Sequence, residues 1–391
     1  MSDPGPLDPF EGLPIFGDLA RLFQQSGSAA WDAARQLAAQ LASDGASEPN
    51  VDPAERIAIE QLARVAELHV VGATGLTSST EVSILATTRT GWASATLNAY
   101  RPLFEQLANS LGESPGEADD LTDADPTAAM FSTLMKMLAP MMLGMTAGSM
   151  VGHLARRSLG SYDLPLPRPK AEPLLVVPAN VDELAAEWSL PPDDLRLWVC
   201  VHDVASHLVL HAPSIHARLS ALLERYVSSF ESDPSSLESS LGELDITDPS
   251  SFAQLQTNLS DPDTVLGAIR SARQDALLPE LEALVAVIVG YVDHTVDQVA
   301  GELISSATML GEALRRRRVT ADPSDRFVER LLGLELSQDQ YDRGSRFVSG
   351  ALERGGPDGL AQLFESDENI PTPPEVDAPG LWLARLELPA D

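Results

Sequence analysis

Residues 202–211 place His202, Asp203, His207 and His211 within one apolar stretch. A His followed directly by a carboxylate, with a second His four residues on, lets one helix face offer two imidazoles to a Zn²⁺ ion. The carboxylate beside the first His then serves as general base toward the metal-bound water. Here His202 and Asp203 hold the first two places, and Ser206 stands at i+4. His207 follows at i+5, roughly 140° around a helix from His202, so the two do not readily share one tetrahedral ion. Asp203 and His207 are one turn apart, as are His207 and His211; the plain structural alternative is that Asp203 pairs with His207 inside a buried helix. A second polar group, Asp293, His294 and Asp297, interrupts another apolar stretch. His207, His211, Asp293 and His294 are therefore the candidates for a rebuilt metal site around His202.

Other chemistries have weaker support. Cys200 lies two residues before His202, so the two side chains diverge around a helix, and a small buried thiol is expected. No Gly-x-Ser-x-Gly elbow occurs. Gly72-Ala73-Thr74-Gly75 is not followed by the Gly-Lys-Ser/Thr of a phosphate loop and reads as an ordinary turn. Arg315 to Arg318 is the one compact basic run, expected to be a solvated last helical turn facing the helix dipole. The formal net charge of −32 repels nucleic acid and anionic membrane surfaces. A single cysteine excludes an intrachain disulfide and fits a reducing cytoplasm. The N-terminal residues lack the basic and apolar regions of a signal peptide. Residues 137–152 are the nearest approach to a membrane span, but they are too short and carry Pro140. Gly144, Gly148 and Gly152 suit close helix packing there, and a buried helix is the expectation.

Something must position these groups. Residues 195–210 are apolar on nearly every face, which marks a buried helix opened by Pro191 and Pro192 and stopped soon after by Pro213. Residues 277–304 read as a second long apolar helix. Further helices are expected over residues 29–42, from Pro53 to about Val71, and after Thr88 or Thr90, where Pro102 would kink the chain. Residues 174–177 (Leu-Leu-Val-Val) are the best strand candidate, and Pro165, Pro167, Pro169 and Pro173 exclude a helix just before them. Residues 1–27 read as an arm packed on the body. Residues 111–127 read as an exposed acidic linker, residues 231–263 as a Ser- and Asp-rich surface insertion, and residues 370–374 as an extended tail.

One resemblance joins these pieces. The segment SLPPDDLRLWVCVHDVASHLVLHAPSIHARL is similar to the active-site helix region of an actinobacterial family of zincin-type, zinc-dependent metalloproteases and hydrolases. LARRSLGSYDLPLPRP, LLVVPANVDELAAEWSL, VGYVDHTVD, EALRRRR, LLGLEL and NIPTPPEVDAPG resemble the same family, so the likeness runs over essentially the whole chain. It implies an α+β, mostly helical fold: an N-terminal helical region (1–110), the linker (111–127) and a zincin-like domain (128–391) that carries the insertion.

The resemblance also implies a damaged site. It puts His202 at the first zinc ligand and Asp203 at the place of the catalytic Glu. Ser206 falls at the second zinc His, and Val289, just before Gly290, at the third ligand. A hydroxyl and an isopropyl group are not zinc ligands of this kind. Asp is one methylene shorter than Glu, about 1.5 Å, and a displacement of that order can cost on the order of 100-fold in rate. The implied reading is a cytoplasmic, non-catalytic homologue with no zinc cofactor, which holds a peptide or protein partner in the old cleft and binds neither nucleic acid nor membrane. Two alternatives stay open: a metal-dependent peptidase or hydrolase with a rebuilt zinc site, and a structural or assembly protein with no cleft ligand.

Overall fold

The computed structural model describes residues 30–78, 82–112, 144–170, 172–230, 271–320, 329, 331–334 and 336–388. The N-terminal arm, nearly all of the acidic linker and the 231–263 insertion lie outside them. Two helices come first: α1 (30–42) and α2 (Pro53–Thr74). The strand β1 (Ile84–Ala86) and the helix α3 (Arg89–Gly112) follow. Beyond these lie α4 (144–155), β2 (Leu174–Val176), α5 (Pro178–Trp188) and α6 (Pro192–His211). The remainder is α7 (Pro213–Val227), α8 (Ala272–Leu303), α9 (Ala307–Val319), α10 (Gln338–Ala361), α11 (Pro373–Asp377) and α12 (Pro379–Leu386). The fold is mostly helical α+β. Its sheet, among the described residues, is one parallel pair in which Ile84, Leu85 and Ala86 face Leu174, Leu175 and Val176.

Local chemistry sets the ends. The Asp52 carboxylate accepts from Ala54 N at 2.8 Å and so opens α2. Gly75 closes the same helix at φ 69°, a left-handed backbone that suits Gly. Gly72 to Gly75 is thus the last turn and cap of a helix rather than a separate turn. Glu48, far back in the chain, caps α3 by accepting from Arg89 N at 3.1 Å and from Thr90 N at 2.8 Å. Ser271 and Gln274 form a capping box at the start of α8. Two expectations need correction. Pro213 does stop α6, but it also sits in the first turn of α7, where a missing N–H costs nothing. The tail at 370–374 is not extended throughout. Thr372-Pro373-Pro374-Glu375 is a capping box with Pro in the first turn, and it starts α11.

Small residues let the helices approach closely. A Cβ on Gly148 would collide with the Ala34 carbonyl oxygen, and one on Gly152 would lie 2.9 Å from that of Ala38. The glycine stripe of α4 is therefore the seat of α1, as expected for a buried helix, within the residues 144–152 that are described. A Cβ on Gly290 would collide with the Gly344 carbonyl carbon, so α8 and α10 cross almost backbone to backbone. Helix α6 is buried along nearly its full length between α2, α5 and α8. Elements from both sides of the 111–127 stretch join one hydrophobic core. Among the described residues, no helix is long and apolar enough to cross a membrane.

Candidate functional site

Along one side of α6, Trp198, His202 and Ser206 recur one turn apart. They face Ile288, Val289, Val292 and Asp293 of α8 across a cleft that opens to solvent. The loop after α4 supplies Arg157, Gly160, Tyr162 and Asp163 to its walls; α9 supplies Arg317 and Arg318, and α10 supplies Tyr341. The structure thus brings His202, Asp203, Ser206, Val289 and Asp293 to one place.

The side chains there are already engaged in particular ways. The His202 ring stacks on Trp198, with centroids 5.2 Å apart and planes 12° from parallel, and keeps 16 % exposure. Asp203 is 1 % exposed. Its Oδ2 accepts from Ser161 N at 2.6 Å and its Oδ1 from Tyr162 N at 3.3 Å. The same loop is tied outward: Trp92 Nε1 donates to the Gly160 carbonyl at 2.7 Å, and Ser161 Oγ accepts from Leu175 N of β2 at 2.7 Å. Gly160 has to be glycine, because a Cβ there would stand 2.5 Å from both Asp203 oxygens. Asp203 therefore staples the loop to α6. The expected alternative, a pair between Asp203 and His207, does not form.

His207 and His211 point away from the cleft. His207 Nδ1 lies 3.0 Å from the Tyr162 hydroxyl. Burial, then His211 and Lys170, pushes the His207 pKa down to about 3, so the ring is neutral. His211 holds Nδ1 at 2.8 Å from the His207 carbonyl oxygen and Nε2 at 2.8 Å from that of Arg168, which leaves neither nitrogen for a metal. His294 lines a neighbouring cavity with Asp297. Arg318, Asp293 and Tyr341 line both cavities and form the partition between them. Arg318 grips Asp293 with two bonds, at 2.8 and 2.9 Å, and lies 4.6 Å over the Tyr341 ring. Burial opposes its charge most strongly, but Asp293, Tyr341 and Asp163 together outweigh it and raise the Arg318 pKa. The buried Cys200 thiol is pushed up by burial and then by Asp203, away from the reactive thiolate.

The basic run divides in two. Arg315 pairs with Asp297 and Arg316 with Glu312 at the surface, as expected of a solvated last turn. Arg317 instead reaches the Arg157 carbonyl, and Arg318 is half-buried against Asp293. Sequence reasoning missed these two and Asp163. Successive helical residues point about 100° apart, so a four-residue run could not all face one way.

A catalytic zinc needs about three protein ligands and one open position. The cleft offers His202; Asp203 is bound to backbone amides, and Ser206 and Val289, which line the same cleft, are not side chains that bind zinc. Among the described residues, no group of three His, Cys, Asp or Glu side chains is placed to hold a metal ion. The residues present do not fit that cofactor.

A crystal structure from Chloroflexus aurantiacus, of a protein assigned as a hydrolase with a novel fold, superimposes with a TM-score of 0.63 at 21 % identity, covering 92 % of this chain and 99 % of that one. At that identity the likeness is one of fold. No curated protein matches the sequence. The model of the zincin-like metallopeptidase family matches residues 30–383, and the chain belongs to that family.

Proposed function

We propose that this chain is a non-catalytic member of its family that acts by binding a peptide or protein partner in the cleft between α6 and α8. The observation that carries the reading is the position of Asp203. The carboxylate in the place of the general base is buried and both of its oxygens are engaged by Ser161 N and Tyr162 N, which argues against its activating a water. Ser206 and Val289 leave His202 as the one motif ligand. The cleft nonetheless stands open, with charged and polar groups in its walls. A purely structural role would have let it close around Val289 and Ser206. The acidic surface argues against nucleic acid and anionic membrane as partners, and the single buried cysteine agrees with a reducing, cytoplasmic setting.

Elemental analysis of protein purified without added zinc tests the reading, together with a peptidase assay with and without chelator. The expected result is zinc far below one per chain and no chelator-sensitive hydrolysis. Full zinc occupancy that disappears in His202→Ala would overturn it.

A further inference from the structure

Among the carboxylates that wall the cleft, one stands apart. Asp293 and Arg318 neutralise each other. Both oxygens of Asp203 accept from backbone amides, and His202 Nδ1 lies 3.6 Å from Oδ1. Arg317 reaches the Arg157 carbonyl, and Arg157 is itself engaged. Asp163 lines the same cleft, and its Oδ2 is buried with no hydrogen-bond partner among the described residues. A buried carboxylate oxygen without a donor is costly, and such an atom calls for a water, an ion or a ligand to complete it.

Asp163 is also held in place. The two residues before it give their amides to Asp203, and Leu166 N closes onto the Leu164 carbonyl at 2.8 Å just after it. The backbone that carries its carboxylate is therefore fixed on both sides. Its charge is felt at Arg318 and Tyr341, on the opposite wall. The stacked rings of Trp198 and His202 face the same space and offer a surface for an alkyl stem. At long range, the net charge of −32 draws cations toward the protein.

We propose that the cleft takes a ligand carrying a protonated amine or guanidinium, as on a Lys or Arg side chain of a partner peptide, with Asp163 as its counter-ion. The inference rests on the cleft-binding reading and gives that site a ligand class.

The test uses the full chain and three capped peptides: acetyl-Gly-Lys-Gly-amide, its norleucine analogue, and its Glu analogue. The readout is the Trp198 indole N–H resonance, assigned with Trp198→Phe. The Lys peptide should shift that resonance saturably. Binding should weaken by about tenfold for the norleucine peptide and for Asp163→Asn, the usual worth of one charge-assisted bond. Thermal melting of Asp163→Asn checks that this near-isosteric variant folds. Equal binding of the Lys and norleucine peptides, stronger binding of the Glu peptide, or undiminished binding by Asp163→Asn would overturn the amine inference and leave the cleft reading standing. Silence at Trp198 from all three would remove peptide binding in the cleft, and the amine inference with it.

Discussion

On the cleft side of α6, His202 stays partly exposed against an aromatic neighbour and an open space. Farther along and around the same helix, His207 and His211 are sealed beneath the Pro-rich stretch that carries Tyr162 and Arg168. The ring nitrogens of His211 both face carbonyl oxygens, and that of His207 meets a tyrosine hydroxyl. The helix itself does not distinguish the two sides, since both are rich in apolar residues. What lies across from each side does. Where chain covers the helix, polar atoms must find partners within the fold. Where the cleft leaves a gap, they stay available. Asp203 sits at the border, and the chain has drawn it to the covered side.

That border position should show in stability. Asp203→Ala removes a buried acceptor and strands the amides of Ser161 and Tyr162, which should cost about 3 kcal/mol. His202→Ala removes a partly exposed ring from a stack and should cost less than about 1 kcal/mol. Urea unfolding of the two variants measures the difference. Equal losses would mean that the carboxylate is not the staple, and the contrast between the two sides would fail.

The covered side makes a second, somewhat smaller prediction, in pH. His207 is held neutral in the fold, with its pKa pushed down to about 3, whereas an unfolded His takes up a proton at about 6.5. Between those values the unfolded chain binds a proton that the folded chain refuses. The stabilising contribution of the depressed group is present above the unfolded value and is lost as pH falls toward the folded one. Between about pH 7 and about pH 5 the unfolding free energy of the parent protein should fall by about 2 kcal/mol more than that of His207→Gln. Burial also lowers His216 and His294, so the difference between the two proteins carries the information. Parallel pH curves would show that His207 is not the group refusing the proton.

Much of this arrangement is legible in the residues. Long apolar runs announce α6 and α8, and Leu174-Leu175-Val176 announces β2. The family resemblance puts His202 and Val289 on one site, and both line one cleft. The partners of Asp203 are not legible, because backbone amides carry no side-chain signature. Gly160 is the single clue, and a glycine in a loop has many reasons to exist. The destination of Arg317 and Arg318 depends on the rotation of α9 about its axis, which a four-residue run of one type does not report. The capping box at Thr372 is readable, but the density of prolines beside it suggests an extended chain. Two of those prolines are in fact the first turn of α11.

The last prediction sets the two sides of α6 against each other directly, and its expected effect on catalysis is nil. Ser206→His would place a second imidazole one turn from His202 on the cleft side, and Val289→Glu would bring a carboxylate from α8 across the gap. Asp203 remains as it is. With His202, three ligands then surround one open position, and the double variant should take up about one zinc per chain, removable by chelator and lost when His202→Ala is added. Peptidase activity should stay at background, because the carboxylate that would activate the zinc-bound water is still held by the 161 and 162 amides. Adding Asp203→Glu should not rescue it. The extra methylene, about 1.5 Å, has no room where Gly160 already lies against the carboxylate, so that triple variant should lose stability before it gains activity. No zinc uptake by the double variant would mean that Val289 is not the third ligand position. Hydrolysis by the double variant would mean that Asp203 is less tightly held than its two amide bonds indicate.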